Sequence, residues 1–153
     1  MQGLCWRLVP WLMPPLSAVV ALPALCAAPE QLITGDWVIS RELAAGNTTT
    51  LTPDEIESLL GAHAHYDSQR AEFAGVRCTR PSFDRYVQTS ANLYQLFELR
   101  FDDLAISGDE VAAIDINCME ADVEFIAGNT VLVAGPDRLV THVEGVWFEL
   151  RRR

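Results

Sequence analysis

The stretch GAHAHYDSQRAEFAGVRC, residues 61–78, is where this sequence comes closest to chemistry. His63, His65 and Asp67 stand two residues apart, the period that places successive side chains on one face of a β-strand. Two neutral imidazoles and a carboxylate on one face can chelate zinc or copper. A metal would need a further ligand, and His142 is the only other histidine. The competing reading is a solvated strand face, or one that senses pH or meets a partner. Histidines are common at such positions, and no Cys/His cluster accompanies these.

Other catalytic constellations are missing from the sequence. Carboxylates are scattered through TPDEIE, FDD, SGDE and DINCMEAD, and pairing for glycoside hydrolysis depends on separation in space. There is no D-x-D-x-D-G calcium loop, no G-x-S-x-G and no phosphate-cradling glycine loop. No coherent catalytic set emerges, and no cofactor is implied. Asn47-Thr48-Thr49 matches a glycosylation acceptor, which matters only in a eukaryotic secretory pathway.

The compartment sets what these residues can do. Residues 1–28 hold one charged side chain, Arg7, then an apolar stretch ending in small residues, the anatomy of a secretory signal peptide. Pro10, Pro14, Pro15 and Pro23 argue against a stable membrane-spanning helix. Export therefore places the protein in the periplasm or outside the cell, with residues 29–153 as a single compact domain. The formal charge of the whole chain is −10, with 21 acidic residues against 11 basic ones, every one of them arginine. Loss of Arg7 with the leader brings it to about −11, which disfavours nucleic acid and anionic membranes as partners. Cys5 and Cys26 fall in the leader, leaving Cys78 and Cys118. An even pair in an oxidising compartment is expected to form a disulfide; functional thiols are the sharper alternative, without a C-x-x-C to support them.

Along the chain, GDWVISREL alternates as a strand does, and AAGNTTT reads as a loop. LTPDEIESLLG predicts a short helix: Thr52 as N-cap, Pro53 at its first position, Glu55 to complete a capping box and Gly61 at the exit. AHAHYD, RAEFAGVRC and FDRYVQT read as strands separated by Asp67-Ser68 and by Pro81-Ser82. SANLYQLFELRF fits a helical stripe through Leu93, Leu96 and Phe97 with Ser90 as cap, or a strand; the helix is preferred. EVAAIDINC, DVEFIA, TVLVA, RLVTHV and GVWFELRR are short apolar or alternating runs between turn signals, the pattern of an antiparallel meander. The expected fold is mostly β: a small antiparallel barrel or curved sheet of about seven to eight strands, with one or two short helices.

Gly35-Asp36-Trp37 resembles the G-x-W opening of lipocalin-type barrels, and Arg151 or Arg152 after VWFEL resembles the closing arginine that packs on that tryptophan. Arg151 is taken here as the barrel-closing partner of Trp37. Gly61, Tyr66, Ala71, Phe73, Gly75, Cys78 and Pro81 are similar to positions in small exported bacterial lipocalin-like (calycin-type) proteins. The resemblance implies a barrel and no catalytic residue. The expectation is thus an exported non-enzymatic binding module of the cell envelope, binding a small apolar ligand. The alternative is an acidic inhibitor or immunity-type protein that captures a cationic partner such as a lysozyme-like hydrolase. A metal-dependent enzyme using His63 and His65 ranks third.

Overall fold

The computed structural model describes residues 28–120, 125 and 127–153. All but the last residue of the leader expected over 1–28, and most of the run DVEFIA, 122–127, lie outside the described residues. The first strand, β1 (Gly35–Ala45), follows a 3-10 turn at Pro29–Leu32, and α1 (Pro53–Leu59) comes next. Four strands then run in succession: β2 (His63–Tyr66), β3 (Ala71–Phe73), β4 (Val76–Cys78) and β5 (Pro81–Thr89). Helix α2 (Ser90–Phe97) leads through a 3-10 turn, Phe101–Leu104, to the last four strands. These are β6 (Glu110–Cys118), β7 (Thr130–Gly135), β8 (Arg138–Val143) and β9 (Val146–Arg152).

All nine strands join one sheet in the order β4-β3-β2-β1-β9-β8-β7-β6-β5, and every pairing is antiparallel. That order forces the sheet to curl. β4 and β5 lie at opposite edges, yet only Thr79 and Arg80 separate them in the chain. Nine flat strands would hold their edges roughly 38 Å apart, whereas a link of that length reaches only about 11 Å. The sheet therefore closes on itself into a barrel-like shell, and Cys78 of β4 is disulfide-bonded to Cys118 of β6 across the seam.

The strand count exceeds the seven to eight expected because RAEFAGVRC is a hairpin and not one strand. Ala74 and Gly75 both adopt positive φ, 48° and 90°, between β3 and β4, as a two-residue turn between twisted strands requires. Pro81 and Ser82 begin β5 where a break was expected, and β1 runs on to Ala45. Proline is tolerated there because it opens an edge strand. The capping box of α1 forms as the sequence implies, Thr52 accepting from the Glu55 N–H and Glu55 from the Thr52 N–H. At α2 the cap is Thr89, which accepts from Asn92 N–H, while Ser90 Oγ accepts from Phe101 N–H.

Alternation along the strands divides the apolar residues between two faces. Trp37, Ile39, Tyr66, Phe73, Phe148 and Leu150 belong to an inner cluster that packs the shell. Trp147, Val140, Leu132 and Ala113 point outward and are covered by Leu93 of α2 and by Phe101, Leu104 and Ile106. Trp37 is fully buried in the inner cluster. Its Nε1–H donates to Ile33 O at 2.8 Å, and the Arg152 guanidinium lies 4.3 Å from the indole ring centroid. Arg152 also donates to Thr34 O at 2.9 Å and to Pro136 O at 3.0 Å. The arginine that packs on Trp37 is therefore Arg152 and not Arg151. Trp37 and Arg152 are direct partners in the β1–β9 ladder, on the face of Phe148 and Leu150; Arg151, one residue back, faces outward and binds Glu149 at 2.8 Å. Gly35 is required beside this contact, since its φ is +136° and a Cβ would overlap Arg152 Nη1.

Candidate functional site

The outer face of the sheet carries a cleft beneath α2. β5 runs straight into the helix, Thr89 ending one and Ser90 opening the other, so α2 folds back over its own strand. Leu93 and Phe97, one helical turn apart, face the sheet. Glu98 ends the helix in the left-handed conformation with φ 59°, and Asn47 N–H donates to Phe97 O at 3.1 Å, which pins the last turn to the loop after β1.

Between helix and sheet lies a cavity of about 130 Å³. Trp147, His142, Leu132 and Thr130 line it from β9, β8 and β7, Tyr86 and Gln88 from β5, and Leu93, Leu96 and Phe97 from the helix. Three rings meet there. The Phe97 and Trp147 rings are perpendicular with centroids 5.1 Å apart, and His142 lies 5.2 Å from Phe97 and 4.9 Å from Trp147, the geometry that aromatic quadrupoles favour.

Two ring nitrogens of these side chains are buried without a hydrogen-bond partner. Trp147 is 1% exposed and its Nε1–H is unpaired; His142 Nδ1 is likewise unpaired. A buried donor without a partner forfeits about 1–3 kcal/mol. Burial pushes the His142 pKa down, against the opposing charge of Asp115, which keeps the imidazole neutral. Tyr86 is pushed up to about 12 by burial and by the Asp115 carboxylate. Asp115 also accepts from Thr130 Oγ1 at 2.8 Å. No lining side chain is charged at neutral pH. A larger depression of about 440 Å³ lies at the start of α2, lined by Arg100, Asp109 and Glu110 among others, but those three are solvent-exposed and offer no sequestered group.

The histidines singled out by spacing are divided by the fold. Ala64 and Tyr66 point inward, so His63, His65 and Asp67 share the outer side of β2 and its turn. His65 lies between two carboxylates, Nδ1 at 2.7 Å from Asp36 and Nε2 at 2.8 Å from Asp67. Asp67 also accepts from the Gln69 and Arg70 N–H groups, 2.7 Å each, and so shapes the β2–β3 turn. Burial of His65 opposes its charged form, but the hydrogen bonds to Asp67 and Asp36 outweigh it and raise the pKa. Both carboxylates are held low, chiefly by their bonds to His65. Both ring nitrogens are thus committed to carboxylates. His63 is exposed, with Arg153 Nη1 3.5 Å from its Nδ1. His142 does not join them: His65 pairs with Asp36 and His142 reaches Ala44 through Trp147, eight residues or about 26 Å along β1. Among the described residues, the metal-compatible grouping is Cys78, Cys118 and Glu120, whose sulfurs are already bonded to each other.

A second buried charge was not singled out in the sequence. Glu149, 3% exposed, receives Arg138 at 2.5 Å, Arg151 at 2.8 Å and Arg41 at 3.2 Å. Burial alone would raise its pKa; the hydrogen bonds from Arg138, Arg151 and Arg41 lower it to about 2. Arg138 further donates to Ala105 O and Leu104 O, so the group fastens the Phe101–Leu104 turn to the sheet. The alternation of GVWFELRR places Glu149 among apolar neighbours, a readable signal; its three partners come from β1, β8 and β9. The Phe97–His142–Trp147 cluster had no such signal, because it joins an ambiguous helix to strands about 45 to 50 residues away.

No family model, no curated protein and no solved structure matches this chain.

Proposed function

We propose that this chain is an exported, non-enzymatic binding module whose ligand, small and largely apolar, occupies the cleft beneath α2. The observation that carries the reading is the cavity of about 130 Å³ between α2 and the sheet, lined by neutral and mostly apolar side chains. An apolar cavity near this size can hold a single small apolar molecule. The shell interior is a poorer host, because Trp37, Tyr66, Phe73 and Phe148 fill it, each at most 1% exposed. The test is to map amide and indole shifts while titrating single-ring fragments. Shifts confined to residues of β5, α2 and the outward side chains of β7 to β9 support the cleft. Shifts centred on Tyr66 and Phe73 move the site inside the shell, and no saturable shift anywhere removes the reading.

A second reading is favoured by the charge of −10: capture of a cationic protein such as a lysozyme-like hydrolase. Such association is steered by long-range attraction and weakens steeply with salt. Binding to a purified lysozyme at low but not high ionic strength, with inhibition of its activity, supports it; absence of binding at low salt overturns it.

A further inference from the structure

We infer that the seam held by the Cys78–Cys118 disulfide becomes a zinc site once that bond is reduced, with Cys78 Sγ, Cys118 Sγ and the Glu120 carboxylate as ligands. The inference is independent of the small-ligand reading. It starts from proximity. One ligand atom from each of the three residues lies within 4.8 Å of the other two, and Glu120 Oε2 is 3.6 Å from Cys118 Sγ. Zinc holds sulfur at about 2.3 Å and carboxylate oxygen at about 2.0–2.2 Å, so ligands tetrahedral about one ion stand roughly 3.5 to 4 Å apart. The carboxylate is already in place, and the two sulfurs need only part from each other.

Chemistry selects the ion. Two thiolates with one carboxylate suit zinc, whereas magnesium and calcium take oxygen ligands. Two molecules of a small thiol, RSH, supply the two electrons and two protons that convert the disulfide to two cysteine thiols, and they leave as RSSR. Coordination of Zn²⁺ then releases both cysteine protons. Water completes the fourth position.

The surroundings prepare the third ligand. Thr79 N–H donates to Glu120 Oε2 and Thr79 Oγ1–H to Glu120 Oε1, 2.7 Å each, the kind of outer contact that orients a metal ligand. Two thiolates and a carboxylate around Zn²⁺ leave one negative charge. Arg80, which donates to Met119 O at 3.5 Å, lies close enough for its charge to act on the Glu120 carboxylate. Cys78 is fully buried while Cys118 and Glu120 are partly exposed, so the ion enters from their side. No strand ladder joins β4 to β5 at this seam, and zinc restores there the cross-link that reduction removes.

Cobalt(II) and zinc, titrated into the purified protein before reduction and after reduction with anaerobic removal of the thiol, form the test. The reduced protein is expected to take up one cobalt per chain with a sulfur-to-cobalt charge-transfer band, which the oxidised protein and the Cys78→Ser/Cys118→Ser double variant do not show. Zinc should displace the cobalt and raise the unfolding midpoint of the reduced protein, leaving that of the oxidised protein unchanged. Thr79→Val should weaken zinc binding about tenfold, and Glu120→Gln by more. Should Glu120→Gln fail to fold, Thr79→Val and the comparison of oxidised with reduced protein decide. Cobalt uptake without the sulfur band, no uptake at all, or a reduced chain that zinc does not stabilise overturns the site. Affinity unchanged by both substitutions overturns the assignment of Glu120 as a ligand.

Discussion

Cys78, on the edge strand at one end of the sheet order, is covalently bonded to Cys118, on the strand next to the opposite edge. The bond spans 40 residues of sequence and ties together the two sides of a seam at which no strand ladder joins β4 to β5. Its removal is expected to lower stability by about 4 kcal/mol through the added freedom of the unfolded chain. Denaturant unfolding of the protein with and without reductant, and of the Cys78→Ala/Cys118→Ala double variant, measures this. Coincident unfolding curves would show that the seam is held without it.

Arg152 should matter more than Arg151. The former stacks on Trp37 and bonds two backbone carbonyls; the latter is half-exposed and shares Glu149 with two other arginines. Arg152→Ala should lower stability by about 2 kcal/mol, and Arg151→Ala by less than about 1. Arg152→Lys should fall between wild type and Arg152→Ala, because a lysine keeps the charge but loses the planar fork. The reverse order in denaturation midpoints would contradict the assignment.

The Asp36–His65–Asp67 arrangement predicts a pH dependence with two limits. His65 holds its proton more tightly when folded, so its contribution is complete below the unfolded pKa of 6.5 and is lost as pH rises through the higher folded value. Asp36 and Asp67 are held below 3.8, so theirs is complete above that pH and is lost as pH falls through the lower folded values. The stability difference between wild type and His65→Gln should therefore be largest near about pH 5 and shrink on either side. A difference that is flat from acid to alkaline pH would contradict the paired geometry.

Removing the buried carboxylate at Glu149 should be among the most damaging single changes on the outer face. Glu149→Gln leaves Arg138, itself only 13% exposed, without its anion, a loss of about 3 kcal/mol. Because the folded pKa is about 2 against an ordinary 4.5, the contribution is complete above about pH 4.5 and is lost as pH falls toward 2. Acid denaturation of wild type and variant should therefore converge at low pH. Amide hydrogen exchange in the turn through Leu104 and Ala105, whose carbonyls accept from Arg138, should quicken in the variant.

What the sequence alone determined here is whatever depends on near neighbours. The capping box at Thr52 and Glu55, the alternation that marks β6 to β9 and the pairing of two cysteines all follow from short-range geometry or from simple chemistry. Tertiary structure decided what depends on register and closure. RAEFAGVRC became two strands because the turn at Ala74-Gly75 lets β3 and β4 pair. Arg152 and not Arg151 faces Trp37 because it follows Phe148 and Leu150 on the inner face of β9, and the two irregularities in the β1–β9 register, after Ile39 and after Glu42, bring it directly opposite Trp37. His63 and His65 lie six and eight register positions from His142, whereas Phe97, His142 and Trp147 meet beneath a helix. Periodicity specifies which face a residue occupies within its own strand. Only the curl of nine paired strands brings particular faces together, because those contacts join residues tens of positions apart.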